Sequence, residues 1–505
     1  MDDAGAEPLA ERPPASASAT GLAPILGRNL RALAASELTG KVVGFAAMVV
    51  LARLLGQIEF GRYTVAVALV SIAAALTEAG SGSYLVREGS QRPNDLGLLM
   101  GRVLALRMLL GVLTVAATVP VGVALGYESS TVVAVALFAV GASLRLLSST
   151  FLIALQSMER MTDVAAVRAQ QSIALAAAMS VAAVITPDVV AVSWAVVIVS
   201  AALPVYSWFR LRRRWSGRIH LSTAELVTTA RATSAFAVAS AMFVLMNYLD
   251  SVMVQAFKGD AAAGVYGAAY RILLALTVVA TVYSDSVTRS ISYLAAHDRP
   301  RLLAVHARVF VHLSMAALPL VAGGVILSEP LLRTFFGPEY GGGAAALAIL
   351  VCALAISFPG YANVATAYAL GLERRLAVIL PAVVVVNAAA NALLIPNFGI
   401  KGAAAATLGS ELLFMVLVMV RLHGSGLRLP PLWRIGKAAT SAGVMAGAVW
   451  PLRHIVLAVP ILVGALVYVG MLLLLRAFDR EDVDLVRSLV RSGPEPTEAS
   501  YETVS

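Results

Sequence analysis

The sequence predicts an all-α polytopic membrane protein. About fourteen transmembrane helices would form two six-helix lobes around a central cavity, with two more helices at the C-terminus. Three observations predict this. Hydrophobic residues fill 59% of the 505 positions and charged residues only 13%, against roughly 25% charge in a soluble protein, and mean hydropathy is +0.84. Apolar stretches of the ~20 residues a bilayer crossing needs follow one another with short bends between, leaving almost no mass for a soluble domain. A glycine–tyrosine motif also recurs six spans apart.

Residues 1–20 are polar and rich in Pro, Ala and Ser, which predicts a disordered cytoplasmic tail. Residues 21–36 set Leu22, Ile25, Leu26, Leu30 and Leu33 at helical spacing with Arg28 and Arg31 between them, the pattern of an interfacial amphipathic helix. Spans are expected near 38–56, 63–82, 103–125, 130–153, 164–186 and 189–209, an N-terminal lobe over 37–210. A basic cytoplasmic linker, 211–228, leads to spans near 229–256, 265–288, 304–328, 344–370, 375–395 and 402–422, a C-terminal lobe over 229–422. Spans 13 and 14 lie within 423–476, and 477–505 reads as a cytoplasmic amphipathic segment and disordered tail.

The placement of Lys and Arg checks the count. Bends on one side carry few cations: Arg53 and Arg62, Lys258, Arg333, Lys401 and Arg453. Bends on the other carry many, among them Arg87, Arg92, Arg160, Arg168, Arg210, Arg212, Arg213, Arg214, Arg218, Arg299, Arg301, Arg374, Arg375 and Arg476. The positive-inside rule then puts both termini in the cytoplasm. The net charge of +9 thus reflects topology and not nucleic-acid binding.

The bend between spans 1 and 2 contains Gly56, Gly61 and Tyr63, and that between spans 7 and 8 contains Gly259, Gly264 and Tyr266: glycine, four residues, glycine, one residue, tyrosine. The glycines would supply turn conformations and the tyrosines would anchor the next span at the interface. The repeat makes these bends the expected outer gate. An even number of intervening spans gives both copies the same orientation, related by an axis along the membrane normal. Two other spacings, Gly40-x-x-x-Gly44 and Gly97-x-x-x-Gly101, are common in packed membrane helices.

The lone Cys352 excludes an internal disulfide. No phosphate-binding glycine loop, Gly-x-Ser-x-Gly or His-Glu-x-x-His occurs, and the six histidines lack ligand spacing, so no enzyme activity, metal or cofactor is expected. The informative groups are ionisable side chains inside spans, which cost ~2.5–3.5 kcal/mol on insertion scales. Arg271, Arg145, Arg53, Lys41 and Arg107 are candidate cavity cations, with Asn387 and Asn391 on one helix face. Asp250, Glu411, Asp285 and Glu78 are candidates for ion coupling or ion pairing, Asp250 with Arg271 being the obvious pair; Glu37 lies near an inner end. A cavity richer in arginine than in acid suits an anionic cargo, since Arg grips phosphate through paired hydrogen bonds.

Three segments carry a family resemblance: Leu51-Ala-Arg-Leu-Leu-Gly-Gln-Ile-Glu-Phe-Gly-Arg-Tyr63 leading to Thr77-Glu-Ala-Gly80 and Leu85-Val-Arg-Glu88; Asp250 followed by Gly264-Val-Tyr-Gly-Ala-Ala-Tyr-Arg271; and Asn387-Ala-Ala-Ala-Asn-Ala-Leu-Leu-Ile-Pro396 with Gly399-Ile-Lys-Gly-Ala-Ala403 and Glu411. Through them residues 25–476 resemble the polysaccharide transporter (Wzx-like oligosaccharide flippase) branch of the multidrug/oligosaccharidyl-lipid/polysaccharide exporter superfamily. The resemblance implies two lobes in a V and transfer of a polyprenyl-pyrophosphate-linked oligosaccharide to the outer leaflet by alternating access, coupled to H+ or Na+. It implies a bacterial inner-membrane location and a product used by polysaccharide polymerase or ligase machinery. Arg271 looks similar in role to the cavity arginines of the peptidoglycan-precursor flippase, whereas Lys41 and Glu37 stand where that relative has an arginine pair. A cation-coupled drug exporter and a peptidoglycan-precursor flippase remain alternatives, as do a membrane glycosyltransferase and a non-transporting scaffold.

Overall fold

In hydrocarbon no water satisfies the backbone, so each crossing segment must hydrogen-bond within itself. Accordingly every element is helical among the described residues, which in this computed structural model are 19–78, 80–221, 226–424 and 431–479; side chains are described outside 19–38, 76, 226–240, 289, 373–374 and 377. Of the expected tails 1–20 and 477–505, residues 1–18 and 480–505 fall outside these residues, as does the side chain of Glu37, whereas residues 19–20 already belong to a helix.

The N-terminal lobe consists of α1 (Ala19–Glu78), α2 (Ser81–Gln91), α3 (Leu96–Ala124), α4 (Ser129–Ser157), α5 (Met161–Ile185) and α6 (Val189–Arg212). The C-terminal lobe consists of α7 (Leu226–His297), α8 (Arg299–Ile326), α9 (Ser328–Phe335), α10 (Ala344–Cys352), α11 (Leu354–Ala369), α12 (Glu373–Phe398) and α13 (Ile400–His423). Two more helices follow, α14 (Leu432–Val449) and α15 (Ala458–Leu474). Ten segments are long and apolar enough to cross a bilayer. Two of them, in α1 and α7, each hold two crossings joined at a kink. α14 (18 residues) and α15 (17 residues, apolar) occupy the places of the expected spans 13 and 14 but fall short of the length and apolarity that the other ten segments have. Residues 21–36 are no separate interfacial helix: α1 runs through them without a break.

The kinks fall at the first glycine of each repeat. Gly56 has φ 70 and ψ 178, and Gly259 has φ 81 and ψ 179. This backbone region is open essentially to glycine alone, so the repeat in sequence is also a repeat in dihedral angle. The chain folds back at the kink, because Phe45 before it and Phe60 after it both pack on Phe336, with ring centroids 6.4 Å apart in each case.

The second glycines make the lobes meet. A Cβ on Gly61 would lie 1.9 Å from the Asp260 carbonyl oxygen, and one on Gly264 would lie 2.1 Å from that of Gln57. The two kinks therefore dock reciprocally, backbone against backbone. Tyr63 and Tyr266 are 5% and 0% exposed, so the expected interfacial anchoring is corrected: both point into the core. Tyr63 stacks on Phe60 at 5.8 Å and meets Phe138 edge-on at 5.5 Å.

Polar contacts lock this kink face. Arg62 bonds Asp260 across the lobes at 3.0 Å, Glu59 at 2.6 Å, and Glu128. The other Glu59 oxygen accepts the Val189 amide at 3.0 Å. One guanidinium thus connects four bends. Arg53, expected to bind substrate, instead donates to the carbonyls of Phe335 (2.7 Å) and Thr334 across the lobes. The Tyr340 hydroxyl donates to the Ala52 carbonyl at 2.9 Å. Tyr127, on the bend beside Glu128, has a buried hydroxyl; burial and the nearby Asp260 charge raise its pKa, so it stays protonated.

On the opposite face the segment after α6 is strapped to the N-terminal lobe. His220 N–H bonds the Gly97 carbonyl at 3.3 Å. A Cβ on Gly97 or Gly101 would meet the backbone carbonyl of Arg218 or His220 at 2.1 or 2.0 Å. The Gly-x-x-x-Gly spacing here receives an extended chain, not a helix. Asp163 pairs with Arg210 and Arg214. α14 and α15 pack on α8, where the Tyr468 hydroxyl donates to the Met315 carbonyl at 2.6 Å.

Gly61→Ala should wedge the kinks apart and cost ~1–3 kcal/mol of stability, read as a lower melting temperature of the purified protein. Gly44→Ala, where a Cβ meets nothing within 4 Å, should melt like the parent. Charged hydrogen bonds are worth ~1.5–3 kcal/mol each, so Arg62→Ala should shift the protein toward states open at the kink face. Spin labels at the exposed positions Ile58 and Phe257 should then report longer, broader distances; an unchanged distribution would remove Arg62 from the lock.

Candidate functional site

Two polar assemblies lie inside the bundle, one in the C-terminal lobe and one where the lobes meet. The first centres on Asp250, 1% exposed, on α7 nine residues before the kink. Its carboxylate accepts from Asn391 Nδ2 at 2.6 Å, from the Tyr266 hydroxyl at 3.0 Å and from the Thr407 hydroxyl. Asn391 also donates to Asn387 Oδ1 at 3.0 Å, and Asn387 donates to Ser410 Oγ at 3.0 Å. Thr407 contacts the Ala403 carbonyl at 3.1 Å. Helix spacing builds the set: Asn387 and Asn391 are four apart on α12, and Thr407 and Ser410 three apart on α13, so each pair shares a face. Two expectations are corrected. Asp250 bonds these groups and makes no ion pair with Arg271, and Asn387 and Asn391, 1% and 0% exposed, line no open cleft. Asn391 Oδ1 is buried with no hydrogen-bond donor.

The second assembly surrounds Tyr63. The charges of Arg145 on α4 and Arg271 on α7 both reach its hydroxyl, so cations from opposite lobes converge there. Arg271 lies twelve residues past Gly259, ~18 Å along the helix at 1.5 Å per residue, near the middle of the membrane-spanning length. Both arginines are half-buried. Arg145 Nη1 donates to Ser200 Oγ at 3.2 Å, whereas Arg271 has no hydrogen-bond or ion-pair partner among the described residues. Lys41 Nζ bridges the lobes farther from the kinks, bonding Thr281 Oγ1 at 3.3 Å. Glu411 on α13 is also half-buried and partnerless among the described residues.

Other candidates lie elsewhere. Arg107, expected as a cavity cation, is 1% exposed inside the N-terminal lobe. It donates to Ser81 Oγ (3.0 Å), the Leu146 carbonyl (3.0 Å), Ser149 Oγ (2.9 Å) and Thr150 Oγ1 (2.7 Å). It ties α2 to α4 and faces no cleft. Glu78 and Asp285 are exposed. The described residues hold no cluster of three or more His, Cys, Asp or Glu suited to a metal. Sequence reasoning missed Thr407, Ser410 and the hub Arg62. The hydroxyls carried a usable signal, their helical spacing opposite the paired asparagines; Arg62 was visible only as one cation on a sparse face.

The comparisons agree with this architecture. A protein of Haloferax volcanii named "Probable flippase AglR" is 29% identical over 255 residues, 48% of this chain and 53% of the relative. The chain thus spans about half the length of the curated relative it matches. Among solved structures, "Lipid II flippase MurJ, inward closed conformation" superposes with TM-score 0.70 at 12% identity, over 91% of this chain and 99% of that one. An inward-facing MATE-family multidrug resistance transporter of the MOP superfamily gives TM-score 0.63 at 14% identity, over 77% and 95%. At such identities the likeness shows the fold. The family model described as polysaccharide biosynthesis protein matches residues 26–289, just over half the chain. This multi-pass membrane protein therefore belongs to the polysaccharide biosynthesis protein family.

Proposed function

We propose that this protein is a flippase that moves a polyprenyl-pyrophosphate-linked oligosaccharide across the cell membrane by alternating access, coupled to a gradient of H+ or Na+. One observation carries the reading: Arg271 lies part-buried at mid-membrane depth with no hydrogen-bond or ion-pair partner among the described residues, and its charge and that of Arg145 from the other lobe both reach Tyr63. An unpaired guanidinium at mid-membrane depth is expensive. A pyrophosphate crossing the bilayer needs what it offers, since arginine stays charged when desolvated and binds phosphate oxygens in pairs. The family and the flippase names among the relatives point the same way.

The sparse-cation kink face is external and both termini are cytoplasmic in this reading. The closed kinks then describe a state shut to the outside. The headgroup enters between the lobes from the cytoplasm while its polyprenyl tail stays in lipid. Undocking the kinks releases it outside, where polymerase or ligase machinery uses it. In a bacterium this is the inner membrane. Ion coupling is assigned to the Asp250 set, because a carboxylate with amide, hydroxyl and carbonyl oxygens suits a proton or Na+, and Asn391 Oδ1 has spare acceptor capacity. Glu411, the other candidate, lacks such a shell.

Native mass spectrometry of gently extracted protein should find a bound polyprenyl-pyrophosphate saccharide. Arg271→Ala should lower its retention ~10–100-fold, the loss of one or two charged hydrogen bonds. Bulk phospholipid alone, together with efflux of lipophilic cations from loaded liposomes, would favour the drug-exporter alternative. Asp250→Asn should keep cargo binding but lose the response of transport to an imposed H+ or Na+ gradient in proteoliposomes. A parent protein indifferent to both gradients would refute the coupling.

A further inference from the structure

We infer that the saccharide of the cargo is read by the C-terminal lobe, by a belt of Tyr248, Tyr270, Tyr361 and Glu411; this rests on the flippase reading and assigns the end of the headgroup that the arginines do not hold. Tyr248 and Tyr270 lie eleven residues before and after Gly259, and Glu411 eleven residues past Ile400 at the kink-face end of α13. At 1.5 Å per residue each sits ~16 Å along its helix, level with Arg271. Tyr361 joins them from α11, which packs against both α7 and α13, and the Glu411 charge reaches the hydroxyls of both Tyr270 and Tyr361. All four side chains are only partly buried, unlike the sealed Asp250 set beside them.

Rigid contacts back the belt. The Tyr270 hydroxyl donates to Asn247 Oδ1 at 3.0 Å, and its ring stacks at 6.1 Å on Tyr266, itself held by Asp250. On α13, Thr407 and Ser410 face the Asp250 set, whereas Glu411 does not join it. A partnerless carboxylate at mid-membrane depth needs donors. Sugar hydroxyls supply them, and tyrosine rings offer flat apolar faces to the C–H faces of a pyranose ring. The same carboxylate repels pyrophosphate. The headgroup therefore lies with its phosphates toward Arg271 and Arg145 and its sugar toward Glu411, whose charge Tyr270 feels together with that of Arg271.

The test uses the full chain in lipid nanodiscs and two probes, sugar-free undecaprenyl pyrophosphate and a panel of undecaprenyl-pyrophosphoryl mono- and disaccharides. The parent should prefer at least one saccharide-bearing lipid. Glu411→Ala and Tyr361→Ala should cut that preference roughly tenfold or more while leaving the sugar-free affinity within about twofold. Glu411→Gln, which still accepts hydroxyl hydrogens, should retain most of both binding and gradient-driven transport. Arg271→Ala should weaken both probes alike. A parent without preference, or a Glu411→Ala variant losing both probes equally, would overturn the belt. A Glu411→Gln variant that binds normally but fails to transport would make Glu411 an ion carrier instead. A parent that binds neither probe would sink the flippase reading itself, and the belt with it.

Discussion

The reciprocal docking of the two glycine kinks is the contact on which the arrangement of the lobes depends. It uses no side chain. Gly61 and Gly264 admit each other's backbone to a distance at which a single Cβ would collide with a carbonyl oxygen. Between membrane helices apolar burial supplies little drive, because lipid is as apolar as leucine; close approach and polar contacts carry the association. A dense but glycine-limited contact suits a surface that has to separate, as the proposed alternating access requires. Polar locks ring it: those of Arg62 and Arg53 lie where water can reach and compete, and that of Tyr340 is buried.

The ionisable groups inside the bundle fall into two kinds. Arg107 and Asp250 are sealed within single lobes; Asp250 is held by amide and hydroxyl donors, and Arg107 by hydroxyl and carbonyl acceptors at Nε and Nη1, though its buried Nη2 has no partner among the described residues. Such groups keep their partners whichever way the lobes tilt. Arg271 and Glu411 are only partly buried and lack partners among the described residues. The contrast separates satisfied polar groups from those left available to the proposed cargo more sharply than depth does, since Asp250, Arg271 and Glu411 lie at similar heights.

Much of this was legible in the sequence. The crossings follow from runs of apolar residues, and the duplication from eight-residue motifs at Gly56 and Gly259 that fold to nearly the same φ and ψ. Residue roles were less legible. Arg107 and Arg271 look alike in sequence, as single arginines in apolar helices. Only the three-dimensional fold brings Ser81, Ser149 and Thr150 around the first and leaves the second open. Asp250 and Arg271 suggest a pair from their nearness to one turn, yet Asn391 and Thr407, more than a hundred residues away in the chain, take the carboxylate. Tyr63 and Tyr266 follow glycine at a bend, which reads as an interface; the docking of the kinks turns that interface into a core.

Aligning the two kinks also shows how the lobes diverged. Nine residues before each kink stand Ala47 in α1 and Asp250 in α7; eleven before, Phe45 and Tyr248; eleven after, Val67 and Tyr270; twelve after, Ala68 and Arg271. The backbone was kept, while at these four positions the first copy is apolar and the second polar or charged. Since the pairs occupy equivalent places, the difference owes nothing to topology and reflects a division of labour. The N-terminal lobe adds Arg145 and carries the strapped segment. The C-terminal lobe holds, at similar heights, the sealed carboxylate of Asp250 and, without partners among the described residues, Arg271 and Glu411. Asp250 is bonded to Tyr266, which stacks on Tyr270, so a change of charge at Asp250, as the proposed coupling requires, would be passed on through Tyr266. The path from the sealed site to the open one is thus two side chains long, and it lies within a single lobe.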